Sequence, residues 1–137
     1  MKNVVLQKLE NIANCVNRIE SKKPFTVDDL KLNFDIQDTI SINLQRAIQA
    51  ATDLAAHIIS EKNGRTPKDM GDTFTVLNEL NLIDKNLSEL MIKATGFRNA
   101  IVHEYDGIDW VVVHTVCENH LHLFKDFSKS ILKNVLG

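Results

Sequence analysis

Apolar residues at Val5, Leu9, Ile12, Val16 and Ile19 alternate spacings of four and three, which sets them on one stripe of a first helix. Lys22, Lys23 and Pro24 end that pattern, and Thr26 is placed to cap "VDDLKL". A longer stripe follows at Ile40, Leu44, Ala47, Ala51, Leu54 and Ile58, predicting a long second helix that stops near Asn63 and Gly64. "GRTPKDMGDT" carries two glycines and a proline and reads as a connection. Phe74, Leu77 and Leu80 then suggest a short third helix. Asp84 can cap a fourth, whose stripe is Leu87, Leu90, Met91, Ala94, Phe97 and Ile101, before a turn at Gly107. The last helix aligns Cys117, Leu121, Phe124, Phe127, Ile131 and Val135, although "WVVVHTV" at its start is β-branched enough to pass for a strand. A single strand has no partner to pair with. The pattern therefore predicts an all-α antiparallel bundle of about five helices, in one domain over residues 1–137.

Length and charge narrow the function. A chain of 137 residues can bury its apolar side chains in a single core. A formal net charge of −2 argues against a protein that coats nucleic acid through a broad basic surface, so any such contact must be local or assembled from more than one subunit. Two cysteines, Cys15 and Cys117, and an N-terminus whose polar residues interrupt any signal-peptide core point to a reducing cytoplasm. No apolar run approaches the roughly 18 residues needed to span a bilayer, so no membrane association is expected.

The chemistry-bearing stretch is "GFRNAIVHEYDG", Gly96 to Gly107. On an uninterrupted helix Tyr105 falls about 20° from Arg98, while His103 sits about 140° away. Arg98 and His103 can converge on one ligand if the helix loosens near Val102 to Tyr105, or if a twofold-related copy brings its own set across a cleft. An arginine beside an apolar stripe is commonly a solvated flank, and a histidine near a helix C-terminus commonly answers the helix dipole. Alternatively, Arg98 neutralises a phosphate through its planar fork of donors and His103 moves a proton near neutral pH.

"RNAIVHEY", Arg98 to Tyr105, resembles the R-x4-H-x-Y signature of HEPN-domain toxins of the HepT type, with Asn99 after the arginine, Val102 before the histidine and "DGID" following. The likeness extends over nearly the whole chain, through "LQRAIQAATDLAAHII", "TPKDMGDTFTVLNELNLI", the motif helix and a long closing helix in family order. The resemblance implies a HEPN-like homodimer acting as a metal-independent endoribonuclease, with Arg98 and His103 of each subunit lining a cleft at the interface. There the ribose 2′-hydroxyl attacks the adjacent phosphorus, His103 serves as general base or acid, and Arg98 stabilises charge on the phosphoryl oxygens. It also implies a partner, a minimal nucleotidyltransferase antitoxin that transfers AMP from ATP onto the motif tyrosine, Tyr105, blocking RNA by charge and bulk.

Asn99 and Glu104 could contact substrate or orient His103, or face solvent. Asp53, in the middle of the long apolar helix, is a candidate supporting partner for Arg98 or His103. His114, Cys117, His120 and His122 spread around most of a helix circumference with no i, i+4 histidine pair, so no metal site is expected from them. No Walker-type loop is present, and no cofactor is expected. A second reading is a non-catalytic dimeric helical module that binds a nucleotide or a nucleotidyltransferase partner.

Overall fold

The computed structural model describes residues 1–137 and is helical throughout, with no strand. Helix α1, Lys2–Ser21, buries Val5, Leu9, Ile12, Cys15 and Ile19. Thr26 caps α2, Val27–Leu32: its hydroxyl accepts the Asp29 N–H at 3.0 Å, and the Asp29 carboxylate accepts the Thr26 N–H at 2.8 Å. That reciprocal pair satisfies two amide donors a helix start leaves free.

The chain then departs from the long second helix expected. Asn33 leaves helical dihedrals, at φ −101° and ψ 104°, and its side chain accepts from the N–H groups of Asp35 and Ile36 to start α3, Phe34–Glu61. Past α3, Asn63 adopts a left-handed φ of 55°, and the Gly64 N–H donates to Ile59 O at 2.9 Å, which closes the helix where an Asn-Gly pair predicts. Asp69 and Asp84 cap α4, Met70–Glu79, and α5, Lys85–His103.

"WVVVHTV" is helical, because Asp109 accepts from the Val111 and Val112 N–H groups and starts α6, Trp110–Asn119. The expected closing helix is two, α6 and α7, His122–Ile131. Leu121 and Leu123 are both buried, yet on a straight helix they would point about 200° apart. The break around His120 lets both enter the core. Seven helices thus replace the five expected.

Helix α1 pairs antiparallel with α3, α4 packs on α5, and α5 lies against α3 and α7. One cluster of 31 buried apolar residues runs from Val5 to Ile131. Phe74 and Phe127, both fully buried, meet edge to face with ring centres 5.8 Å apart. Ser88 Oγ donates to Phe74 O at 2.9 Å, tying α5 to α4 without leaving a buried hydroxyl unpaired. Arg65, in the loop before α4, donates to both oxygens of Asp72 and to Glu79, so the loop is clamped to the helix it precedes. The Arg65 guanidinium holds the Asp72 carboxyl well below the usual carboxylate range.

Candidate functional site

Helix α5 stays regular through His103 and ends there: the Glu104 N–H still donates to Ala100 O at 2.9 Å, but Glu104 itself has φ −129° and ψ 40°. The loosening that would swing His103 toward Arg98 within one chain therefore comes one residue too late. The two side chains remain about 140° apart around the axis and about 7.5 Å apart along it. Within one chain they therefore point away from each other.

Arg98 lies half-buried on α5. Its Nη1 donates to Asn99 Oδ1 at 3.2 Å, while its Nε is buried with no hydrogen-bond partner. A buried guanidinium donor without an acceptor is costly. Its fork is thus only partly used, and directed donors are left for an anion. His103 is exposed in the last turn of α5, where the helix carbonyls favour a cation.

Past Glu104 the chain makes a short 3₁₀ turn, Tyr105–Gly107, closed by Gly107 N–H to Glu104 O at 2.8 Å. The turn takes Tyr105 off the line of Arg98 and lays it against α3. Its hydroxyl meets Asp38 Oδ1 at 3.1 Å and Gln37 Oε1 at 3.2 Å, and its ring meets Trp110 edge to face at 6.1 Å. Burial first, then the hydrogen bond and charge of Asp38, push the Tyr105 hydroxyl above its ordinary value of 10.0. Nothing in the linear pattern singles out Gln37 or Asp38, since they lie 68 and 67 residues upstream.

The supporting candidates separate. Asn99 engages Arg98, and neither it nor Glu104 hydrogen-bonds His103. Asp53 faces the other side of α3, where it accepts from Gln49 Nε2 at 2.8 Å and pairs with Lys8 at 4.0 Å. Within the chain, then, Asp53 does not support Arg98 or His103. The physical reason is place on α3: Asp53 lies beside α1 and, fifteen residues past the Asp38 that Tyr105 touches, about 22 Å farther along the helix axis. Of the histidine and cysteine group, His114 Nε2 meets Phe25 O at 3.0 Å, and Cys117 is buried, its thiol pushed up to about 12 by desolvation.

The surface beside the motif is mixed, with Asn99, Glu104, Asp106 and Asp109 exposed among apolar side chains. Val102, Val111 and Val112 are exposed, and a cavity of about 360 Å³ opens between α3, α5 and α6, walled by residues such as Leu44, Ile48, Phe97 and Val116. No helix is long and apolar enough to cross a membrane.

Comparison with known proteins sets this site in context. The sequence model of the family described as Ribonuclease HepT-like matches residues 7–131. The chain is 33% identical over 127 residues to the mRNA nuclease HepT of Shewanella oneidensis, covering 93% of this chain and 95% of that protein. It is 29% identical over 107 residues to the tRNA nuclease HepT of Aphanizomenon flos-aquae, covering 77% and 72%. Among solved structures, the tri-AMPylated Shewanella oneidensis HEPN toxin in complex with MNT antitoxin superposes with a TM-score of 0.88 at 33% identity, over 96% of this chain and 98% of that one.

Proposed function

This chain belongs to the HepT-like ribonuclease family, and from that membership we propose that it is the toxin of a two-gene toxin–antitoxin system, acting in the cytoplasm as an endoribonuclease. The observation that carries the reading is the placement of Arg98 and His103 at the end of a regular helix. There, a half-used guanidinium fork and an exposed imidazole diverge within the chain. A twofold-related copy supplies what one chain lacks, and the exposed side chains of Val102, Val111 and Val112 offer it apolar surface. His103 of one copy and Arg98 of the other then flank one scissile phosphodiester.

The chemistry follows from the groups present. His103 takes the proton of the ribose 2′-hydroxyl as that oxygen attacks the adjacent phosphorus, or returns one to the departing 5′-oxygen. Arg98 stabilises the charge that builds on the phosphoryl oxygens. Proton acceptor and cationic clamp are both protein groups, so the reaction proceeds without a metal. RNA carries the attacking hydroxyl and DNA does not.

Silencing follows from Tyr105. A nucleotidyltransferase antitoxin transfers AMP from ATP onto its hydroxyl, which is partly exposed and two residues from His103. The added anion repels the RNA backbone and fills the cleft. Asn99 steadies Arg98 by accepting from its Nη1, and Glu104 faces the RNA; the whole of residues 1–137 serves as one domain.

The test is cleavage of RNA by the purified chain in the presence of EDTA. Products ending in a 2′,3′-cyclic phosphate and a 5′-hydroxyl are expected, and Arg98→Ala and His103→Ala each lower the rate by about 10²- to 10⁴-fold. Undiminished cleavage by both variants would overturn the assignment.

A further inference from the structure

The tyrosine is held by a carboxylate from a distant helix, and that contact has chemical consequences. We infer that Asp38 is the proton acceptor for Tyr105 during adenylyl transfer, with Gln37 positioning the same hydroxyl. This rests on the reading that Tyr105 accepts AMP.

Tyr105 Oη lies 3.1 Å from Asp38 Oδ1 and 3.2 Å from Gln37 Oε1. A hydroxyl has one proton to donate and two acceptors here, so it is shared or alternates between them. The ring is fixed from the other side by Trp110. The hydroxyl is therefore presented at a set place on the first turns of α3, next to a carboxylate at the surface.

A tyrosine that attacks phosphorus must lose its proton. With an ordinary value near 10, about one molecule in a thousand is ionised at pH 7, and burial, Asp38 and Asp106 make it scarcer. Ser41, whose buried hydroxyl has no hydrogen-bond partner, works the other way, by less than Asp38 and more than Asp106. Prior ionisation is thus a poor route, and a base already in contact is the better one. In the step assigned, a lone pair on Tyr105 Oη forms the bond to the α-phosphorus of ATP. The bond from that phosphorus to the bridging oxygen breaks, and pyrophosphate leaves with the electron pair. The hydroxyl proton passes to Asp38 Oδ1 and then to solvent. The product no longer has a hydrogen to donate, and its phosphodiester charge opposes Asp38. Transfer therefore also loosens the modified side chain from α3.

Asp38→Asn tests this, because it keeps the shape and an acceptor oxygen while removing the basicity and the charge that raises the tyrosine. The full chain is mixed with Mg-ATP and an MNT antitoxin of the kind solved with the Shewanella oneidensis HEPN toxin, and the first adenylate is followed by intact mass. The variant is expected to be slower by about 10²- to 10⁴-fold, with the KM for ATP unchanged. Its rate should recover as pH rises and tyrosinate forms unaided; Asp38→Glu should restore part of it. The contact is read separately by absorbance at 295 nm, where the chain's single tyrosine titrates alone: its midpoint should fall in Asp38→Asn. Modification of Asp38→Asn at Tyr105 at the wild-type rate, or an unchanged midpoint, overturns the inference and leaves the toxin reading standing. Failure of the wild-type chain to be modified at Tyr105 removes the reading itself.

Discussion

Two inactive variants, combined in one dimer, test whether Arg98 of one copy works with His103 of the other. Regular helix through His103 holds the two side chains of one chain about 140° and about 7.5 Å apart. In a dimer that pairs Arg98→Ala with His103→Ala, one chain keeps its histidine and the other its arginine. If the working pair is formed across the twofold axis, one of the two pairs is intact and the other has lost both members. Such a mixed dimer should show about half the wild-type rate, whereas each parent homodimer retains only about 10⁻² to 10⁻⁴ of it. The recovery over the parents is thus at least about fiftyfold. Co-expression with two different affinity tags and tandem purification isolates the mixed species, and a fluorescent RNA reports cleavage. A mixed dimer as inactive as its parents would refute the pairing, and so would failure of the tagged chains to associate.

Other consequences can be checked on the folded chain alone. Phe74→Ala removes a fully buried ring that packs edge to face on Phe127, and should lower unfolding free energy by about 3–5 kcal/mol; urea denaturation showing a loss under about 1 kcal/mol would contradict the core described. Tyr105→Phe forfeits the hydroxyl's contacts with Gln37 and Asp38, at a cost of about 0.5–1.5 kcal/mol near neutrality. Because the folded Tyr105 hydroxyl titrates above its unfolded value of 10.0, its contribution is fully present below that pH and fades as pH rises through the folded value. Wild-type stability should therefore fall more steeply than that of Tyr105→Phe in alkali, and parallel curves would count against the contact. Cys15 and Cys117 are buried with thiols raised by desolvation, so a disulfide exchange reagent at pH 8 should label neither until denaturant is added. Rapid labelling of the native chain would place them elsewhere.

Local signals in the chain carried most of the helix boundaries. Thr26 and Asp84 hold side-chain oxygens at the distance a cap requires, and an Asn-Gly pair closes α3, because these are events within a few residues of backbone, whereas Asp69 starts α4 inside the stretch "GRTPKDMGDT" that reads as a connection. The apolar stripes likewise predicted core residues such as Leu44, Leu54, Met91 and Phe127. The R-x4-H-x-Y pattern identified the family and drew attention to Arg98, His103 and Tyr105. The breaks at Asn33 and His120 escaped the apolar pattern: Asn33 is a local cap whose side chain takes the Asp35 and Ile36 N–H groups, whereas the bend at His120 is set by burial. Leu121 and Leu123 can share one core only if the axis bends between them.

The amino-acid order by itself determined the all-helical class, the buried stripes and the identity of the motif. Tertiary structure alone decided how the motif's groups are disposed. Regularity of α5 through His103 keeps Arg98 and His103 apart, the turn after Glu104 carries Tyr105 to α3, and the face of α3 on which Asp53 falls sends it to Lys8. The physical reason is range. Caps and stripes act over one or two turns, whereas the company a side chain keeps depends on the packing of helices that are remote in sequence and adjacent in space.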